Sequence, residues 1–365
     1  MKKTVLYLIL AAATISPVNA QETRPFQHLD VSLNTGTTGI GLDLGTNITK
    51  WMDVRAGFTF MPHFKYNMNF EVGLYADDGT LQEGTFQKLS EKLEQITGYK
   101  VHESIGMIGE PVFNQFKLMM DFYPLKNNKH WYVSAGFYVG KQRIAKAYNS
   151  TEDMPSLIGV GIYNQMHDKI LNDEPVANIG GHDVYLNEYK EVFKSYGRMA
   201  IHVGDYTHDI YHTYTEDVVC DENFKYTKLD ANGNPLMEDG FPVYYEEGEV
   251  MHTAGSTERI HKAGDPYMMT PDEDGMVRAR MLVNAFRPYV GIGYDGRIVR
   301  GDDRYHIGFD AGIMMWGGTP CVITHDGTDL THDVTNVPGK VGDYVSIVKA
   351  FKVYPVISLR LTRRF

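Results

Sequence analysis

The last twelve residues, Tyr354-Pro-Val-Ile-Ser-Leu-Arg-Leu-Thr-Arg-Arg-Phe365, constrain the fold most. At a period of two, Ile357, Leu359, Leu361 and Phe365 fall on one face, and Ser358, Arg360, Thr362 and Arg364 on the other. A strand with this pattern needs an apolar environment on one side and a polar one on the other. One such strand suits many soluble folds. Its repetition along the chain narrows the choice to a barrel that is lipid-facing outside and polar inside.

The repeats are Leu29–Leu33, Ile40–Leu44, Met52–Phe60, Phe116–Phe122, Trp131–Val139, Pro288–Tyr294 and Ile307–Met315. With the terminal segment they make eight strands, each about the length a tilted strand needs to cross a hydrocarbon core of ~30 Å. The connections are unequal. Those near 45–51, 124–130 and 296–304 are short, whereas 64–112, 147–285 and 317–348 are long. Transmembrane barrels have this asymmetry, with brief periplasmic turns and long surface loops, and a soluble sandwich has no reason to keep it. The first hairpin, near Gly36, is the exception. The expected fold is therefore all-β: an eight-stranded antiparallel transmembrane β-barrel, with residues 147–285 as a large acidic extracellular insert.

Eight strands enclose a space that side chains fill. The inward positions carry repeated glycines and charges of both signs: Asp43, Arg55, Lys117, Asp121, Arg287, Asp310, Arg360 and Arg364. An unpaired buried charge is costly, so these residues are expected to pair with one another as a plug. Trp51, Phe122, Tyr123, Trp131 and Trp316 lie near strand ends, where aromatic girdles are expected.

Residues 1–20 have the pattern of a secretory signal peptide, leaving 21–365 as the mature barrel. Lys2 and Lys3 precede the apolar run Val5–Ala13, and Val18-Asn19-Ala20 supplies small residues for cleavage. The net charge of −11 is unevenly placed. Residues 150–284 hold 25 Asp and Glu against 10 Lys and Arg, a net −15, so the remainder carries +4. Nucleic acid is an improbable partner for such a chain. Two cysteines, Cys220 and Cys321, either join in one disulfide or remain free thiols.

The segments Thr38-Gly-Ile-Gly-Leu-Asp-Leu44, Asp121-Phe-Tyr-Pro124, Arg287-Pro-Tyr-Val-Gly-Ile-Gly293 and Tyr354-Pro-Val-Ile-Ser-Leu359 resemble the outer-membrane barrels common in Bacteroidota. The architecture is similar to the small OmpA-type barrels. The resemblance covers the strands, about a quarter of the mature chain, and leaves most of the insert outside. It implies an outer-membrane location with the long loops extracellular and contact with outer-membrane lipid and lipopolysaccharide. It also implies that barrel-assembly machinery recognises the strand carrying Ile357, Leu359, Leu361 and Phe365. Arg363 departs from that family's apolar outward pattern, which snorkelling at the interface accommodates.

Candidate chemistry is confined to the long connections. Phe86, Leu89, Leu93 and Ile96 predict a short amphipathic helix covering part of its own loop. His208-Asp-Ile-Tyr-His212 has helical metal-ligand spacing, but its neighbours favour a strand, which separates the two imidazoles too far for one ion. Asp230-Ala-Asn-Gly-Asn234 begins like a calcium loop, but Pro235 occupies the glycine position and Phe241 that of the closing glutamate. A hairpin is the simpler reading there. His102-Glu-Ser104 offers a base and a hydroxyl without an orienting acid. His-Asp pairs recur at 182–183, 208–209, 325–326 and 332–333, a pattern that could activate water if the pairs faced a cleft. Three function classes follow: a non-enzymatic barrel anchoring a surface module for ligand binding or envelope integrity, a surface hydrolase using the His-Asp loops, and a small channel. The first is favoured, with no metal, no cofactor and an unspecified extracellular ligand.

Overall fold

The computed structural model describes residues 25–365 apart from 77–79, 83, 126–129, 220–227, 229–235, 239–240, 244, 247, 338 and 351. The signal segment 1–20, Cys220 and the Asp230–Asn234 turn therefore lie outside the described residues.

The eight dyad segments close into an antiparallel barrel in sequence order. The strands are Asp30–Gly36, Gly39–Thr49, Met52–Phe60, Gln115–Phe122, Trp131–Gly140, Phe286–Arg297, Tyr305–Met315 and Val353–Arg364. Closure comes from pairing the first with the last, from Asp30 opposite Arg364 to Gly36 opposite Ser358. The side-chain alternation follows the pleat. Ser358, Arg360 and Thr362 are buried, while Ile357, Leu359 and Leu361 are 50%, 54% and 51% exposed. The exposed apolar row continues around the wall through Leu42, Phe58, Phe116, Val133, Ile292 and Phe309.

The tight first hairpin depends on Gly39. Its φ of 99° is disfavoured for other residues, and a Cβ there would collide with the Phe60 carbonyl. Inside the wall, a Cβ on Gly57 would collide with the Asp43 carboxylate, so this inward glycine makes room for a charge.

At the short-turn end Trp51 stacks on Phe122 at 5.9 Å, and Trp131 meets Tyr294 edge-on at 5.2 Å. Two expected girdle residues lie elsewhere. Tyr123 turns toward Tyr132 inside the barrel, with ring centroids 5.5 Å apart. Trp316 is buried and stacks on Tyr354 at 5.5 Å. A ring at a strand end can face either way, and for Trp316 packing over the barrel mouth decides it.

The three long connections fold into one body, here called the cap. Its five-stranded sheet runs Cys321–Thr324, Arg278–Leu282, Arg143–Asn149, Ser104–Pro111 and Tyr66–Glu71, and so draws on all three. A second sheet places Arg198–Tyr206 between Pro266–Met269 and Val334–Thr335, with Gly73–Tyr75 also paired to it. Leu74, Ile105, Leu157, Met199 and Val334 are fully buried in a common apolar core between these layers.

The helix predicted around Leu89 and Leu93 forms over Phe86–Thr97 and ends at Gly98 in the left-handed conformation, φ 77°. It does more than cover its own loop, because Phe86 and Leu93 enter the shared core. A second helix, Met154–Leu171, was not anticipated. Its buried positions Leu157, Val160, Tyr163 and Ile170 have helical spacing, but buried Ser156, Asn164 and His167 blur the apolar stripe. Asn164 is satisfied there by exchanging hydrogen bonds with the Met199 backbone at 2.7 and 2.9 Å. The helix Gly339–Ala350 completes the third connection. Among the described residues, no helix is long and apolar enough to cross a membrane.

Candidate functional site

The barrel interior brings together most of the charges singled out from the sequence. Arg55 is central: its Nη2 donates to Asp121 Oδ1 at 2.9 Å and to Asp310 Oδ1 at 2.9 Å. Ser134 donates to the same Asp121 oxygen. Lys117 Nζ lies 2.8 Å from Asp43 Oδ2. Arg360 is 4.0 Å from Asp310 and 3.6 Å from Asp295. Tyr132 links the groups, donating to Asp310 at 2.7 Å and accepting from Arg360 at 3.1 Å. Arg55, Lys117 and Arg360 are thus balanced by Asp43, Asp121 and Asp310, and all six side chains are buried. Arg364 sits at the rim, paired with both oxygens of Asp30 at 2.8 Å.

Arg287 departs from the expectation. It is fully buried, yet its guanidinium donates to neutral acceptors: Gln115 Oε1 at 2.9 Å, Lys141 O at 2.6 Å and Asn284 O at 2.7 Å. The Phe113 ring lies 5.2 Å away. Arg287 is near the cap end of its strand, where the chain leaves the ladder and its carbonyls are free to accept. Tyr132, Ser134 and Asp295 were the members of the charge network not foreseen. Their inward phase was readable, but not their neighbours across the barrel.

Above the charges, Met119, Tyr138, Tyr289, Met314 and Val356 pack together, and Phe113 and Trp316 continue this cluster. Packed apolar side chains close the cap end of the lumen. At the short-turn end a vestibule of about 320 Å³ reaches inward past Asp53, Tyr123, Asp295 and His306. Among the described residues, the interior is thus open at the short-turn end and packed toward the cap.

The cap separates the candidate catalytic pairs. His208 lies 3.6 Å from Asp333, whereas Asp209 accepts from Arg259 at 3.2 Å and from the Ala263 N–H at 2.9 Å. Those bonds, led by the one from Ala263, hold the Asp209 carboxyl below its ordinary pKa. His212 meets Tyr214 at 4.7 Å, away from the His208 contacts. His325 contacts Thr270 O at 2.9 Å, while Asp326 accepts from Tyr267 and Thr324 at 2.6 Å each. Burial opposes ionisation of Asp326, but the bonds from Thr324 and Tyr267 prevail and hold its pKa low. Asp183 accepts from Asn178 at 2.7 Å. His182 and Asp183 are successive strand positions and point to opposite faces. The other three pairs lie in turns or loops, where each side chain takes the partner its loop brings to it. The His102 backbone N–H donates to Ser156 at 2.8 Å, and among the described residues no hydrogen bond joins the His102 ring to Ser104.

One cluster escaped sequence reasoning. Asp329 accepts from His332 Nδ1 at 2.8 Å, and Cys321 Sγ lies 3.9 Å from the same nitrogen. Burial, followed by the nearby Asp329 carboxylate, pushes the Cys321 thiol up to about 11. Cys321 is a half-buried free thiol. The alternative, a disulfide to Cys220, involves a residue outside those described.

No family model and no curated protein matches the chain. Solved structures similar to it include those of Acinetobacter baumannii CarO2 and CarO. The CarO2 comparison gives 11% identity over 94% of this chain and 100% of that one, with a TM-score of 0.35. For CarO the values are 12%, 95%, 100% and 0.33. The barrel assignment rests on the strand pairing itself.

Proposed function

We propose that this chain is a non-enzymatic outer-membrane barrel protein whose barrel anchors the cap as a surface-exposed binding or envelope-integrity module. The observation that carries this reading is the pairing of a lumen packed with side chains toward the cap with a single cap built from all three long connections. The lumen is filled by charged and apolar side chains, so it supports anchoring better than conduction. The cap has its own core, as a domain with its own task requires. The exposed apolar belt supports a membrane setting, because a soluble monomer rarely exposes so continuous an apolar surface. Contact with lipid and lipopolysaccharide is assigned to that belt, and recognition by assembly machinery to the closing strand with Ile357, Leu359, Leu361 and Phe365. Asp209 and Asp326 are taken up by Arg259, Ala263, Tyr267 and Thr324. Among the described residues, the one His-Asp contact between pairs, His208 with Asp333, has an exposed histidine. Both observations favour binding over hydrolysis.

Two measurements test this reading. In planar bilayers the purified protein is expected to give no conductance above that of empty membranes. On intact cells, with native cysteines replaced by serine, Ser256→Cys is expected to react with an impermeant maleimide and Arg300→Cys to stay unlabelled. Steady ion conductance, or equal labelling at the two sites, would overturn the proposal. So would hydrolytic turnover that disappears in Asp326→Asn with Asp333→Asn.

A further inference from the structure

The cap is strongly acidic, yet one concavity in it is basic. A cavity of about 520 Å³ lies on the five-stranded sheet, with Arg143, Lys146, Tyr148, Arg278, Arg280 and His325 among its lining residues. Pairing register brings them together. Arg280 is opposite Lys146, Arg278 is opposite Tyr148, and Arg143 is opposite Leu282 on the same two strands. Three of the four cations thus converge from adjacent strands within two register positions.

Two of the cations are held in place by carboxylates. Lys146 lies 2.8 Å from Glu110, which also accepts from Tyr148 at 2.7 Å. These bonds, led by the one from Lys146, keep the Glu110 carboxyl below its ordinary pKa. Arg278 pairs with Asp272 at 2.8 Å and lies 3.9 Å from Asp274. Arg143 and Arg280 have no carboxylate partner among the described residues and are exposed. Elsewhere in the described insert, Arg198 and Arg259 each pair with an acid, as do Lys190 and Lys228, while Lys169, Lys194 and Lys262 do not. Two guanidinium groups without a carboxylate partner at one concavity therefore differ from Arg198 and Arg259, the insert's other arginines outside this cavity.

Planar guanidinium groups match the geometry of phosphate and carboxylate, which they bind through paired N–H donors. The volume falls in the range of small-molecule sites and exceeds what a bare oxyanion fills. Tyr148, with Lys146 Nζ 5.0 Å from its ring centroid, and Met276 add apolar wall for the rest of a ligand. We infer that this cavity binds a phosphate monoester, with Arg143 and Arg280 holding the phosphate and Tyr148 and Met276 beside the group that carries it. The same chemistry is offered by a lipid headgroup and by a soluble sugar phosphate. The inference rests on the reading of the cap as a binding module and names its ligand class.

The test uses the full-length protein in neutral detergent micelles, titrated calorimetrically with glucose 1,6-bisphosphate and, separately, with dihexanoyl phosphatidic acid. Saturable binding of either probe is expected, and its affinity should fall about tenfold or more in Arg143→Gln with Arg280→Gln. It should persist in Arg300→Gln, which removes an exposed charge at the opposite end of the barrel. Binding of the bisphosphate alone points to a soluble ligand, binding of the phosphatidic acid alone to a lipid headgroup, and either outcome supports the site. Binding of neither probe, or equal affinity in the double variant, overturns the inference. Neither result depends on membrane orientation or conductance, so failure here leaves the anchoring proposal to stand on its own tests.

Discussion

Asp310→Ala is expected to destabilise the barrel by about 3–5 kcal/mol, as removal of one partner from a buried ion pair does. Asp310 accepts from Arg55 at 2.9 Å and from Tyr132 at 2.7 Å, and it lies 4.0 Å from Arg360. Without it, Arg55 keeps Asp121, but Arg360 is left with Asp295 at 3.6 Å and the Tyr132 hydroxyl at 3.1 Å. The cost comes from the buried, under-compensated Arg360 guanidinium more than from the contact itself. Asp30→Ala gives the comparison. Asp30 pairs with Arg364 at the half-exposed rim, where Asp303 also stands 3.2 Å away, so its loss should cost under about 1 kcal/mol. Guanidinium unfolding of both variants in micelles, followed by tryptophan fluorescence, checks the order. Equal destabilisation of the two would mean that the interior charges are not a buried, coupled network.

The barrel was legible because a period of two is a strong signal when it recurs eight times. The facing of each strand followed at once, since a one-residue slip would have put Leu359 inside and Arg360 in lipid. Charge pairing was legible in kind and incomplete in detail. Asp43 and Lys117 could be named as inward, but only the three-dimensional closure shows that Asp310 stands across from Arg55. Arg287 escaped because its acceptors are mostly backbone carbonyls, which no side-chain pattern reveals. The cap was the larger omission. Leu74, Leu157 and Val334 belong to connections far apart in sequence, and nothing local to any of them says that they share a core. Each connection read alone looked like a loop. The basic cavity was hidden for the same reason, since Arg143 and Arg280 are distant in sequence and the insert's overall charge has the opposite sign.

Leu359→Arg is expected to cost about 2–4 kcal/mol, the depth-dependent penalty for a cation facing lipid near the middle of a barrel wall. Leu359 lies halfway along the closing strand, opposite Phe309 on one side and Thr35 on the other, and is 54% exposed. The chain already shows where an outward arginine is tolerated. Arg363 lies near the rim, with its guanidinium 4.6 Å from the Phe365 ring centroid and 6.0 Å from that of Tyr305. There the head can reach headgroups and water while its stem covers apolar wall. A second rim position supplies the control: Ile298 is exposed just past its strand, so Ile298→Arg should cost no more than about 1 kcal/mol. Urea-dependent folding into phosphatidylcholine vesicles, read by the gel shift between folded and unfolded forms, measures both. In detergent the difference should shrink, because a micelle deforms around a charge more readily than a bilayer does. If Leu359→Arg and Ile298→Arg fold with the same midpoint in vesicles, the apolar belt does not face lipid, and the membrane reading of this barrel fails with it.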